Sequence, residues 1–144
     1  MDGFATPEAF IRSEILANRG TNSVVTKEHL AHVAGWKAEK GESLNRKSKA
    51  ELLDLLIEQY GEKAYSMFPV GVPSICFQLK FGITHPQVLK LAKAGLITVT
   101  GERKFHKYGK YLYAKTYSPY DYFRLTFRDV HKMLEDIRGN RQHP

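Results

Sequence analysis

The chain is poor in cysteine, in long apolar runs and in the short motifs that mark catalysis. Its single cysteine, Cys76, excludes an intramolecular disulfide and suits a reducing compartment. Beside Ile75 and Leu79 on a predicted helix, it reads as a small buried residue. No apolar run approaches the roughly 18 residues of a membrane-spanning helix. The opening stretch MDGFATPEAFIRSE is too acidic and too interrupted for a secretory signal. A cytoplasmic protein without a membrane partner is therefore expected. There is no Gly-x-x-x-x-Gly-Lys, Gly-x-Ser-x-Gly or His-Glu-x-x-His. His29 and His32 stand three apart on a short predicted helix, but no cysteine or carboxylate set completes a metal site. Six tyrosines between positions 108 and 122 raise the thought of a tyrosine nucleophile. The alternation of Tyr111, Tyr113 and Tyr117 instead fits one packed face of a strand. The expectation is no enzyme, no metal and no cofactor.

Acidic residues are scarce in one region only. Residues 1–60 carry eight Lys or Arg against nine Asp or Glu, whereas residues 61–117 carry nine against two. The last 27 residues carry five against four, so the net charge of +7 resides in the middle segment. Charge concentrated in this way is the footprint of a polyanion binder. Its densest part is GERKFHKYGK, residues 101–110, which reads as a loop tip with Phe105 and Tyr108 bracing it.

The apolar pattern outlines an α+β fold that is predominantly α. Thr6-Pro7-Glu8 opens a helix to about Asn18, with Phe10, Ile11 and Ile15 inward. A second short helix starts near Lys27, turns Leu30, Val33 and Ala34 inward, and is broken by Gly35 and KAEKGES. Ser48-Lys49-Ala50-Glu51 is a capping box before LLDLLIEQYG. FPVGVP, bounded by Pro69 and Pro73, reads as a linker, dividing the chain into a helical region at 1–68 and a second domain at 69–144. SICFQLKFG and HPQVLKLAKAG are two short helices, the second capped by Thr84 with Gln87. LITVT and YLYAKTY read as strands, and Ser118-Pro119 as a turn. A last helix places Phe127, Val130, Met133, Leu134 and Ile137 at helical spacing, before a polar tail, RGNRQHP.

The stretch SICFQLKFGITHPQVLKLAKAGLI, residues 74–97, followed by the hairpin to Tyr117, resembles a winged helix-turn-helix DNA-binding domain. Gly82 ends the first helix, Ile83 plugs the space between helices and Thr84 starts the second. Gln78 departs from the family pattern, which favours a small residue there, and so implies a wider interhelical angle. The resemblance implies that the second helix meets the major groove through Thr84, His85, Gln87, Lys90 and Lys93. Gln87 would make a bidentate contact to an adenine edge. Arg103, Lys104, His106, Lys107 and Lys110 would meet the backbone from the wing, Arg103 being the candidate for the minor groove. Residues 25–61 resemble, with an enlarged middle, a SAP or helix-extension-helix motif. That resemblance implies DNA contacts by Asn45, Arg46, Lys47 and Lys49, or a supporting role for the second helix.

The expected function is non-catalytic binding of double-stranded DNA by a bacterial or phage-type transcriptional regulator or accessory factor. A structured-RNA binder, or a protein-interaction module acting on a nucleic-acid enzyme, are the alternatives. The last helix could close the core or pair two copies into a homodimer.

Overall fold

Glycine and hydroxyl caps delimit most of the helices. The computed structural model describes residues 3–19, 23–37 and 46–142. These divide into two units, Glu8–Val70 and Gly71–Pro144 with Met1–Pro7. The fold is α+β and predominantly α, with seven α-helices and one three-stranded antiparallel sheet among the described residues.

The first unit is helical. Helix α1 (Pro7–Leu16) buries Phe10, Ile11 and Ile15. In α2 (Lys27–Ala34) the buried residues are Leu30, Ala31 and Ala34, with Val33 only half-buried. Thr26 caps α2, accepting from the His29 amide, and Gly35 ends it at φ 72°. There the Trp36 amide reaches back to Ala31 O and the Gly35 amide to His32 O, the paired bonds of a Schellman motif. Most of KAEKGES lies outside the described residues. Helix α3 (Lys49–Tyr60) has the full capping box between Ser48 and Glu51, and buries Leu52, Leu53 and Leu56. A 3-10 segment, Gly61–Ser66, follows. Gln59 Nε2 donates to Ala34 O at 2.8 Å, joining the ends of α2 and α3. His29 packs edge-on against Phe68 at 5.5 Å.

The second unit begins where a linker was expected. Val72 and Pro73 form a short strand, β1 (Val72–Pro73), because Tyr117 and Thr116 lie opposite them. Gly71 leads into it under Thr100 and Thr116, whose hydroxyls are 3.0 Å apart. An added Cβ at Gly71 would overlap both threonine side chains. Helices α4 (Ser74–Phe81) and α5 (His85–Lys93) come next. Gly82 (φ 59°) ends α4, and Thr84 with Gln87 forms the α5 capping box. Gly95 closes α5 with a second Schellman pair, Leu96 to Leu91 and Gly95 to Ala92.

Strands β2 (Val99–Lys107) and β3 (Lys110–Tyr117) then form the hairpin, and the sheet order is β1-β3-β2. Ser118-Pro119 is more than a turn. Ser118 caps a short helix, α6 (Pro119–Arg124), with proline in its first turn. The Asp121 carboxylate accepts from the Thr98 amide at 2.9 Å and fixes α6 to the start of the hairpin. Helix α7 (Phe127–Gln142) runs through most of the expected polar tail.

Aromatic residues dominate the core of this unit. The Phe77 ring lies 5.6 Å from Tyr117 and 5.4 Å from Tyr122, both edge-on. Val72, Phe81, Ile83, Val88, Leu91, Ile97, Leu125 and Val130 are also buried. Cys76 is half-buried, while Ile75 and Leu79 are exposed. The buried face of α4 is that of Phe77 and Phe81, opposite to the face on which burial was expected. No helix among the described residues is long and apolar enough to cross a membrane.

Candidate nucleic-acid interface

GERKFHKYGK is not a loop. Residues 101–107 continue β2, and the reversal takes only Tyr108 and Gly109, at φ 56° and 71°. Two successive residues at positive φ make the tight turn whose twist matches that of the flanking strands. Lys107 pairs with Lys110, Phe105 with Leu112, and Arg103 with Ala114 on one face. On the other face His106 pairs with Tyr111, Lys104 with Tyr113, and Glu102 with Lys115. A register shift at Thr100 separates this ladder from the rooted part of the sheet.

Every residue from Glu102 to Lys115 is exposed. A two-stranded ribbon six pairs long extends about 20 Å, and no layer of the described residues of this unit covers either face. Along it stand Arg103, Lys104, Lys107, Lys110 and Lys115 against one carboxylate, Glu102. The side chains support one another locally. Lys104 Nζ lies 4.0 Å from the centre of the Tyr111 ring, and His106 meets the same ring edge-on at 5.3 Å.

Two expectations about the aromatics fail here. Strand packing holds for Tyr117, which is 1% exposed, but Tyr111 and Tyr113 are each 63% exposed. Tyr108 is 85% exposed at the turn, with Lys107 Nζ 5.2 Å from its ring centre. Lys115, Tyr111 and Tyr113 were missed as surface residues. The available signal was the opposing sequence: GERKFHK has one apolar side chain, too few to build a buried face beneath the tyrosines.

The helix pair is tied at its N-terminal ends. His85 Nδ1 and Ser74 Oγ are 2.7 Å apart, and Gln78 Nε2 donates to the same Ser74 oxygen. The departure at Gln78 is thus accommodated by a polar chain between α4 and α5. Thr84, His85, Lys90 and Lys93 are exposed, and Leu89 lies between His85 and Lys93 on the outer face.

Gln87 differs from expectation. Its Oε1 accepts from the Thr84 amide at 2.9 Å and from the Thr84 hydroxyl at 3.3 Å, so the acceptor needed for a bidentate adenine contact serves the cap. Gln87 and Lys90 also border a groove of about 460 Å³ against Leu134, Ile137 and Arg138 of α7. Helix α7 is anchored beside α4 by His131 Nε2, 2.7 Å from Phe81 O, and its Phe127 ring lies over Gly82.

The SAP-like segment contributes little exposed charge. Lys49 Nζ donates to Ile15 O, Ala17 O and Val25 O at 3.0, 2.8 and 2.6 Å. Burial, and then the nearby Arg19 charge, lower its pKa. This ammonium closes the C-terminal end of α1 and is not a surface contact for a polyanion. Lys47 reaches Glu51 at 3.7 Å. Arg46 is exposed, and Asn45 lies outside the described residues.

No group of three or more His, Cys, Asp or Glu among the described residues is placed to hold a metal ion. No protein-family model matches the chain, and neither a curated protein nor a solved structure is detectably similar to it.

Proposed function

We propose that the chain is a non-catalytic, cytoplasmic, double-stranded DNA-binding protein of winged-helix type, a bacterial or phage-type regulator or accessory factor. The observation that carries the proposal is the hairpin: five cations and one carboxylate on a ribbon whose every residue from Glu102 to Lys115 is exposed. Basic side chains along an exposed ribbon meet phosphates. The tip contains two choices that local stability disfavours. Lys107 stands directly opposite Lys110, and like charges so placed repel. Tyr108 holds a positive φ where Asn or Gly is the better residue. An anionic ligand between the lysines removes the first penalty.

The element order β1-α4-α5-β2-β3 with sheet order β1-β3-β2 supports the winged-helix reading. In that reading His85 and Lys93 on the outer face of α5 lie toward the duplex, and Gln87 maintains the helix cap. Residues 25–61 act as scaffold. Met133, Leu134 and Ile137 of α7 remain half-buried and form the surface on which a second copy would pair.

The test is binding of the full chain to random duplex DNA across a salt series. About five phosphate contacts give a slope of log K against log salt of roughly −4 to −5. A slope near zero, or no binding at low salt, overturns the proposal.

A further inference from the structure

Along β3, Tyr111 and Tyr113 project from the same face of the hairpin, each 63% exposed. Their cross-strand neighbours on that face are His106 and Lys104, and Lys115 follows next along the strand. Exposed tyrosines flanked by cations add nothing to a core, and the ligand whose chemistry complements them has a π-face and negative charge. Nucleic-acid bases with their phosphates meet both conditions.

The spacing then distinguishes paired from unpaired strands. Residues two apart on a strand are about 7 Å apart, whereas stacked bases of a duplex rise about 3.4 Å. A duplex also presents base edges, not base faces, in its grooves. Two neighbouring rings on this ribbon can therefore be used only by bases that have left the stack. Splayed bases of a single strand can lie against them while Lys104 and Lys115 hold the backbone.

We propose that the Tyr111–Tyr113 face of the hairpin binds unpaired nucleotides of single-stranded DNA, so that the protein prefers duplexes with a single-stranded extension over blunt ones. This rests on the reading of the hairpin as a nucleic-acid surface. The opposite face, with Arg103, Lys107 and Lys110, keeps its contacts to duplex phosphates. Lys104 already lies over the Tyr111 ring, which places a cation beside the phosphate of a base held at that tyrosine.

Fluorescence anisotropy with the full chain tests this on three probes: oligothymidylate, a blunt duplex, and the same duplex with a thymidine tail. Two double variants are compared, Tyr111→Val/Tyr113→Val, which removes the rings at residues that favour strands, and Tyr111→Phe/Tyr113→Phe, which keeps them. The wild type is expected to bind the tailed duplex at least several-fold more tightly than the blunt one. The valine variant should lose about tenfold or more on oligothymidylate and bind tailed and blunt duplex alike, with blunt-duplex affinity within twofold of wild type. The phenylalanine variant should behave like wild type.

Equal affinity of the wild type for tailed and blunt duplex overturns the inference. So does an equal loss on all three probes by a valine variant whose hairpin amides remain protected from exchange. Should the hairpin open in the valine variant, the phenylalanine variant and the wild-type tail preference still decide. Salt-dependent binding of the blunt duplex, measured alongside, reports on the broader DNA-binding proposal, which survives loss of the tail preference.

Discussion

Lys49 and Lys107 stand for two ways in which this protein uses a cation. The unit Glu8–Val70 contains nine basic and nine acidic residues, and its central lysine is held by three backbone carbonyls. The stretch 71–144 contains thirteen basic and five acidic residues, and its hairpin lysines extend into solvent opposite one another. In the first unit a positive charge satisfies the end of a helix, the favourable position for a cation. In the second, charge is gathered on a ribbon that has no core of its own. A cation that completes a fold and one left exposed to solvent differ in their surroundings, not in residue type.

The largest test of the contrast is at the root of the hairpin. Gly71→Ala forces a Cβ into the Thr100 and Thr116 side chains, an overpacking expected to cost about 3 kcal/mol. Urea unfolding followed by tyrosine near-ultraviolet circular dichroism should register it. A loss under about 0.5 kcal/mol, the range of neutral surface changes, would mean that the sheet is not rooted there.

Next is Lys49→Met. Three carbonyls lose a charged donor, for an expected loss of about 2 kcal/mol, measured through Trp36, the only tryptophan of the chain. Duplex affinity should not change. Weakened binding with unchanged stability would reverse the roles assigned to the two units and restore the SAP-like segment as a DNA surface. The pKa of Lys49 is lowered chiefly by burial. Its charged form is therefore less favoured in the folded than in the unfolded chain. The direct contribution of this group to stability should rise as pH climbs from the lowered pKa toward the ordinary lysine value.

Arg103→Ala/Lys107→Ala, both on the face assigned to duplex phosphates, is the complementary case. Two phosphate contacts removed should reduce the salt slope by roughly 2 and weaken all duplexes alike, by about tenfold at moderate salt. Unfolding should shift by less than about 0.5 kcal/mol, since both side chains are exposed. A variant that altered sequence preference instead would make the hairpin a reader of bases in the duplex.

The smallest effect is expected at the turn. Tyr108→Asn relieves a positive φ and should stabilise the hairpin by about 1 kcal/mol, seen as slower amide exchange between Arg103 and Ala114. Unchanged exchange would mean that Tyr108 is held by contacts other than its own backbone preference.

Much of the local structure follows from short-range chemistry. Ser48 with Glu51 and Thr84 with Gln87 form their capping boxes, and Gly35, Gly82 and Gly95 end helices at positive φ. Each depends on residues within one or two turns, so a few residues of sequence suffice to specify it. Ser118-Pro119 carried a similar signal for α6, read as a turn because proline both starts helices and breaks them. Charge location was legible for the same reason: it is a count along the chain.

Burial and partnership were decided in three dimensions. Val72-Pro73 is a strand only because Tyr117 and Thr116 lie alongside, more than forty residues away. Tyr111, Tyr113 and Tyr117 have one alternation in sequence, but only Tyr117 has Phe77 beneath it. Ile75 and Leu79 have the same polarity as Phe77 and Phe81, yet the aromatic pair alone faces the cluster of Tyr117 and Tyr122. Lys49 looks like any lysine before a helix until the carbonyls of Ile15, Ala17 and Val25 surround it. Residue chemistry and short-range spacing set the caps, the turns and the distribution of charge. Which apolar face is covered, and which lysine is occupied, depends on neighbours brought in from distant sequence, and tertiary packing alone supplies them.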